Sequence, residues 1–75
     1  MSPEEAFGVV LRALRKSKGF SQERLALDAE IERNYVSLLE LGKNSVSLRI
    51  YFKLCEVLEI DPAELMRRIQ DQLKR

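Results

Sequence analysis

The stretch from Ser21 to Leu48, SQERLALDAEIERNYVSLLELGKNSVSL, constrains the fold of this chain more than any other. Ser21 suits a helix N-cap, and Leu25, Ala26 and Ala29 then fall on one helical face. A helix of about two turns is not stable alone, so this one must lie against a partner. A second segment begins near Glu32, with Tyr35, Val36 and Leu39 as its apolar positions and Leu38 as a further candidate. Gly42 supplies a left-handed stop. The small side chains of Ala26 and Ala29 let two short helices cross closely at a steep angle. This is a helix-turn-helix arrangement, whose second helix can enter the major groove of DNA.

The segments on either side read as further helices. Ser2-Pro3-Glu4-Glu5 opens the first with an N-cap, a proline in the first turn and a capping-box glutamate. Ala6, Phe7, Val10, Leu11 and Leu14 form its apolar stripe, and Gly19 ends it. Ser47 caps a fourth helix carrying Leu48, Tyr51, Phe52, Leu54, Cys55 and Leu58. Asp61-Pro62-Ala63-Glu64 opens a fifth, with a second capping box expected. Along it Leu65, Met66, Ile69 and Leu73 recur at spacings of three and four. Four helices already close a core, so Leu65 is expected inward, with Met66, Ile69 and Leu73 left as an outward stripe for a second copy of the chain. The competing arrangement folds that stripe back onto the first helix, beside Phe7 and Val10.

Composition removes several function classes. Seventy-five residues suit one small domain spanning 1–75, with 61–75 as its dimerisation helix. No histidine is present, so histidine-based metal sites, acid–base catalysis and Ser-His or Cys-His nucleophile pairs are excluded. The carboxylates fall in capping and surface patterns, no glycine-rich phosphate loop appears, and no cofactor is implied. A single cysteine, Cys55, excludes an internal disulfide and fits a reducing cytoplasm; it reads as a small core residue. No apolar run reaches membrane-spanning length, and no secretory leader is visible.

Net charge is +1, too small to argue for nucleic acid by itself. Its distribution says more: Arg12, Arg15, Lys16, Lys18 and Arg24 stand against Glu23 alone, a local surplus of about +4 just before and within the helix-turn-helix unit. Arg15, Lys16 and Lys18 sit at the end of the first helix, where they either compensate the helix dipole or reach a phosphate. On the third helix Arg33, Asn34 and Ser37 share an exposed face. Arg grips guanine through O6 and N7, and Asn grips adenine through N6 and N7. Tyr35 suits a double role, its ring against the core and its hydroxyl reaching the DNA backbone. Leu38 either touches a thymine methyl or packs inward, and packing is the expectation.

The positions Ser21-Gln22-Glu23, Leu25-Ala26, Ala29, Ile31, Arg33, Tyr35-Val36-Ser37, Glu40, Gly42-Lys43 and Ser47-Leu48 together resemble the XRE (Cro/C1-type) helix-turn-helix family of bacterial and phage DNA-binding proteins. The likeness runs from about Leu11 to Leu65 and implies an all-α, five-helix, lambda-repressor-like domain. ERNYVS followed by GKNSVSL looks most like the controller proteins of restriction-modification systems. The resemblance places Gln22 against a DNA phosphate and makes the loop Lys43-Asn44-Ser45 a second phosphate contact. It implies a homodimer on a palindromic operator, acting on transcription by occupying DNA or by touching RNA polymerase from upstream. Departures are clear. Glu30 stands where glycine is common, which demands a positive φ of a glutamate; Glu32 replaces a Ser or Thr cap; and Val46 replaces a frequent proline. A protein-interaction module, such as the antitoxin of a toxin pair, is the alternative from a different class.

Overall fold

The computed structural model describes residues 1–75 as five α-helices: α1 (Pro3–Ser17), α2 (Gln22–Ala29), α3 (Arg33–Glu40), α4 (Leu48–Leu58) and α5 (Pro62–Leu73). Local chemistry accounts for the starts. Ser2 caps α1 in a complete capping box with Glu5, while Ser21 and Ser47 accept from the third backbone amide beyond them, of Arg24 and Ile50. Asp61 caps α5 through the amides of Ala63 and Glu64. The expected second capping box is only half formed, because the Glu64 carboxylate turns to Arg67 and Arg68 instead of back to Asp61.

The four ends share one geometry. α1, α2, α3 and α4 are each followed by a left-handed residue: Gly19, Glu30, Gly42 and Glu59, with φ between 55° and 74°. The next amide in each case (Phe20, Ile31, Lys43, Ile60) reaches back to the carbonyl of Arg15, Ala26, Leu38 or Cys55. This pairing satisfies carbonyls that the helix end would otherwise leave open. Phe20, Ile31 and Ile60 also pack against the core, which locks each turn from below. Glu30 has the left-handed conformation expected from its position, and Glu59 repeats it.

One apolar core joins all five helices. Phe7, Leu11 and Leu14 of α1, Leu25 and Ala29 of α2, Val36 and Leu39 of α3, Tyr51, Leu54 and Leu58 of α4, and Leu65 of α5 meet in it. Gly8 brings α1 onto the end of α3: a Cβ there would stand 2.5 Å from the carbonyl oxygens of Leu39 and Glu40. Gly42 does the same for the following loop, where a Cβ would lie 2.8 Å from the Glu5 Cα. These two positions set how the third helix sits on the first.

The outward stripe expected on α5 is corrected at one residue. Ile69 is only 6 % exposed and belongs to the core, because α5 rolls onto α1 and turns both Leu65 and Ile69 inward. Met66 and Leu73 remain outward, at 47 % and 39 %. On α4, Leu48 and Phe52, four residues apart, also point away from the core, at 75 % and 55 %.

The left-handed glutamates yield a stability prediction. An L-residue in this conformation costs about 1–2 kcal/mol, partly offset by the entropy that glycine loses on folding. Glu30 and Glu59 also pair with Lys53 at 3.3 Å and Lys18 at 3.2 Å, exposed contacts that salt screens. Glu30→Gly and Glu59→Gly are each expected to stabilise by about 0.5–1 kcal/mol in urea denaturation at high salt. A loss at either site would show that its carboxylate is worth more than its backbone strain.

Candidate nucleic-acid interface

The elements of the helix-turn-helix unit are held together by one buried ion pair. Arg15 follows the α1 stripe Phe7, Leu11, Leu14 inward, and Glu40 follows Val36 and Leu39 on α3, so both charges occupy core-facing positions. Their side chains are 9 % and 3 % exposed. Arg15 donates from Nε to Glu40 Oε2 at 2.6 Å, from Nη2 to Oε1 at 3.0 Å, and from Nη1 to the Phe20 carbonyl at 2.8 Å. The bonds to Glu40 raise the guanidinium pKa above its ordinary value, against the opposing effect of burial. Gln22, the first residue of α2, donates from Nε2 to Glu40 Oε1 at 3.0 Å. One carboxylate therefore ties α1, α2 and α3.

Around this anchor the reading face is built from short-range placement. Gln22, Arg33, Asn34 and Ser37 line one open notch of about 270 Å³. Arg33 and Asn34 are exposed at the start of α3, and Arg33 Nη1 lies 3.8 Å from Glu23 Oε1. Tyr35 packs its ring against the core as expected, but its hydroxyl donates to the Ser45 carbonyl at 3.2 Å, so within the chain it fastens the next loop to α3 instead of being held free for a DNA backbone. In that loop Lys43, Asn44 and Ser45 are all exposed, and the Ser45 hydroxyl donates to Glu4 Oε2 of α1 at 3.1 Å.

A helix-turn-helix family model matches residues 11–65. The chain belongs to the XRE-type helix-turn-helix family. It is 38% identical over 61 residues to the control protein C.BamHI of Bacillus amyloliquefaciens, covering 80% of this chain and 75% of that one. To the control protein C.MunI of a Mycoplasma species it is 39% identical over 67 residues, covering 88% and 90%. The crystal structure of the restriction-modification controller protein C.AhdI from Aeromonas hydrophila superposes with a TM-score of 0.80 at 45% identity, covering 83% of this chain and 94% of that one. The five-helix, all-α architecture is that of this group.

Within this helix-turn-helix protein several residues hold positions that their sequence did not reveal. The basic cluster is largely spoken for. Arg15 is buried on Glu40, Lys18 pairs with Glu59, and Arg24 lies 4.5 Å over the Phe20 ring while bonding Asp28 at 2.8 Å. Arg15 is thereby removed as a phosphate ligand; Arg12 and Lys16 stay exposed. Leu38, expected to pack inward, is half-buried but not part of the core, and lines a shallow depression with Ile31, Glu32, Asn34 and Tyr35. Glu32 is the N-cap of α3 but makes no side-chain capping bond, so its contribution is charge at the helix start. Burial raises the Cys55 thiol pKa, which disfavours the reactive thiolate. No three His, Cys, Asp or Glu side chains converge as a metal site would require, and no helix is long and apolar enough to cross a membrane.

The Arg15–Glu40 pair predicts an asymmetry. Glu40→Ala leaves a buried guanidinium unpaired and is expected to cost about 3–5 kcal/mol in urea denaturation. Replacing both partners, Arg15→Met with Glu40→Leu, removes the charges together and should recover most of that loss. Equal losses in the single and double variants would show that the pair is not what stabilises this junction.

Proposed function

We propose that the chain is a sequence-specific DNA-binding transcriptional regulator that acts as a homodimer on a palindromic operator, in the manner of a restriction-modification controller. The observation that carries this reading is the convergence of Gln22, Arg33, Asn34 and Ser37 on one open notch at the start of α3. With α3 in the major groove, Arg33 offers two donors to guanine O6 and N7, and Asn34 offers a donor and an acceptor to adenine. Gln22 spends one amide hydrogen on Glu40 and keeps the other for a phosphate beside the start of α2. Lys43, Asn44 and the backbone amide of Ser45 supply a second phosphate contact, on a loop that Tyr35 keeps in place; the Ser45 hydroxyl hydrogen is spent on Glu4. Occupying a promoter excludes other proteins; occupying DNA upstream of one puts the dimer within reach of RNA polymerase. The setting is the cytoplasm.

Selection from random duplex DNA with the purified chain tests this directly, and a palindromic consensus is the expected result. Enrichment of no site would favour a protein-interaction module instead. On the selected operator, Arg33→Ala is expected to cost about 1–3 kcal/mol per half-site, concentrated at one base pair, whereas Lys43→Ala should weaken every sequence alike. A variant lacking Arg33 that keeps every base preference would place the reading face elsewhere.

Apolar residues left outside the core support the dimer reading. Met66 and Leu73 on α5, with Leu48 and Phe52 on α4, suit burial against a second copy. A fully buried side chain of this size is worth about 1.5–3 kcal/mol, and these are already partly covered, so each contributes less. Ile69 has no part in this surface except by supporting it from beneath. Met66→Asp is expected to give a folded monomer with sharply weakened operator binding, read by sedimentation and titration. Ile69→Asp is expected to unfold the chain. A dimeric Met66→Asp protein would put the interface on another face.

A further inference from the structure

We propose that Glu4 is a built-in counter-charge at the loop after α3, weakening its attraction for DNA phosphates; this rests on the DNA-binding reading above. The loop and the first turn of α1 are one packed unit. Gly42 sits so close to Glu5 that a Cβ would reach 2.8 Å from its Cα, and Tyr35 holds the Ser45 carbonyl from the other side. The two glutamates of the turn have different duties. Glu5 accepts the Ser2 amide and completes the cap. Glu4 has no part in the cap; its Oε2 accepts from the Ser45 hydroxyl at 3.1 Å, on the loop whose Lys43 and Asn44 face solvent.

The single hydroxyl hydrogen of Ser45 is spent on Glu4, so a phosphate at this loop is held by Lys43 and Asn44, and we take it to lie about 6 Å from the Glu4 carboxylate, two hydrogen-bond lengths away. At that distance like charges in water repel enough to weaken binding roughly threefold. The effect falls within the screening length of physiological salt, so it persists in the cell. Because phosphates carry no sequence, Glu4 lowers affinity for operator and random DNA together. The exposed cation of the reading helix is balanced in the same way, with Glu23 beside Arg33. Binding then depends on base contacts more than on charge.

The test uses the full-length chain, the selected operator and a random duplex, titrated at several salt concentrations. Glu4→Gln keeps an acceptor for Ser45 and removes the charge. It is expected to tighten both duplexes about threefold per half-site, roughly tenfold for a dimer, with the gain vanishing near 1 M salt. Ser45→Ala breaks the hydrogen bond but keeps the carboxylate, and is expected to tighten neither. The proposal is overturned if Glu4→Gln leaves both affinities unchanged or weaker, if its gain is confined to one operator position, or if Ser45→Ala gives the same gain. A wild-type chain that binds neither duplex overturns the DNA-binding reading and this proposal with it. Wild-type binding without a Glu4→Gln effect overturns this one alone.

Discussion

The Glu40 carboxylate is the point on which the arrangement of the first three helices depends. A charge this deeply placed is tolerable only when every lone pair and donor nearby is engaged, and here Arg15 and Gln22 engage it with no buried polar side-chain atom left unpaired. An apolar contact in its place would fix the packing distance but not the direction of a hydrogen bond. A two-pronged guanidinium–carboxylate contact fixes direction as well as distance. The same carboxylate orients the Gln22 amide, so the stability of the junction and the aim of a surface group are set by one side chain.

Close backbone approach completes what the ion pair begins. Gly8 admits the last carbonyls of α3, and Gly42 admits the first turn of α1, so the third helix is held along its inner side by contacts that leave no room for a side chain. The left-handed ends act at the other scale. Each converts the end of one helix into the launch of the next within a few residues, and the apolar residue that follows three of them plugs into the core. Short connections and a shared core make the α2–α3 unit rigid although neither helix is long enough to persist alone.

Most of the architecture was legible in the sequence because caps and stripes are local. Ser2, Ser21, Ser47 and Asp61 mark four of the five helix starts, and the periodic residues of α1, α2 and α3 lie where their spacing placed them. Clustering of the recognition candidates was also legible, since it follows from helical pitch and one turn. What escaped was long-range or rotational. Arg15 and Glu40 are 25 residues apart, and only their occurrence on core-facing positions hinted at the bond. The roll of α5 decided between Ile69 inward and Ile69 outward, two arrangements with the same sequence pattern. Glu59 was missed although its Leu-Glu-Ile setting closely echoes Ala29-Glu30-Ile31. Leu38 shows the limit of hydropathy: an apolar residue on a short helix can stay half-buried at the margin, outside the core cluster.

The division of labour within α3 bears on how such a protein diverges. Val36, Leu39 and Glu40 are committed to the interior, and Tyr35 to the loop, whereas Arg33 and Asn34 have no partner inside the fold beyond the loose Arg33 contact with Glu23. Substitutions at those two exposed positions can therefore be sampled with little penalty to folding. A lineage carrying this scaffold is free to change what it recognises without first acquiring compensating stability, and two copies in one cell can become insulated from each other by a few surface replacements.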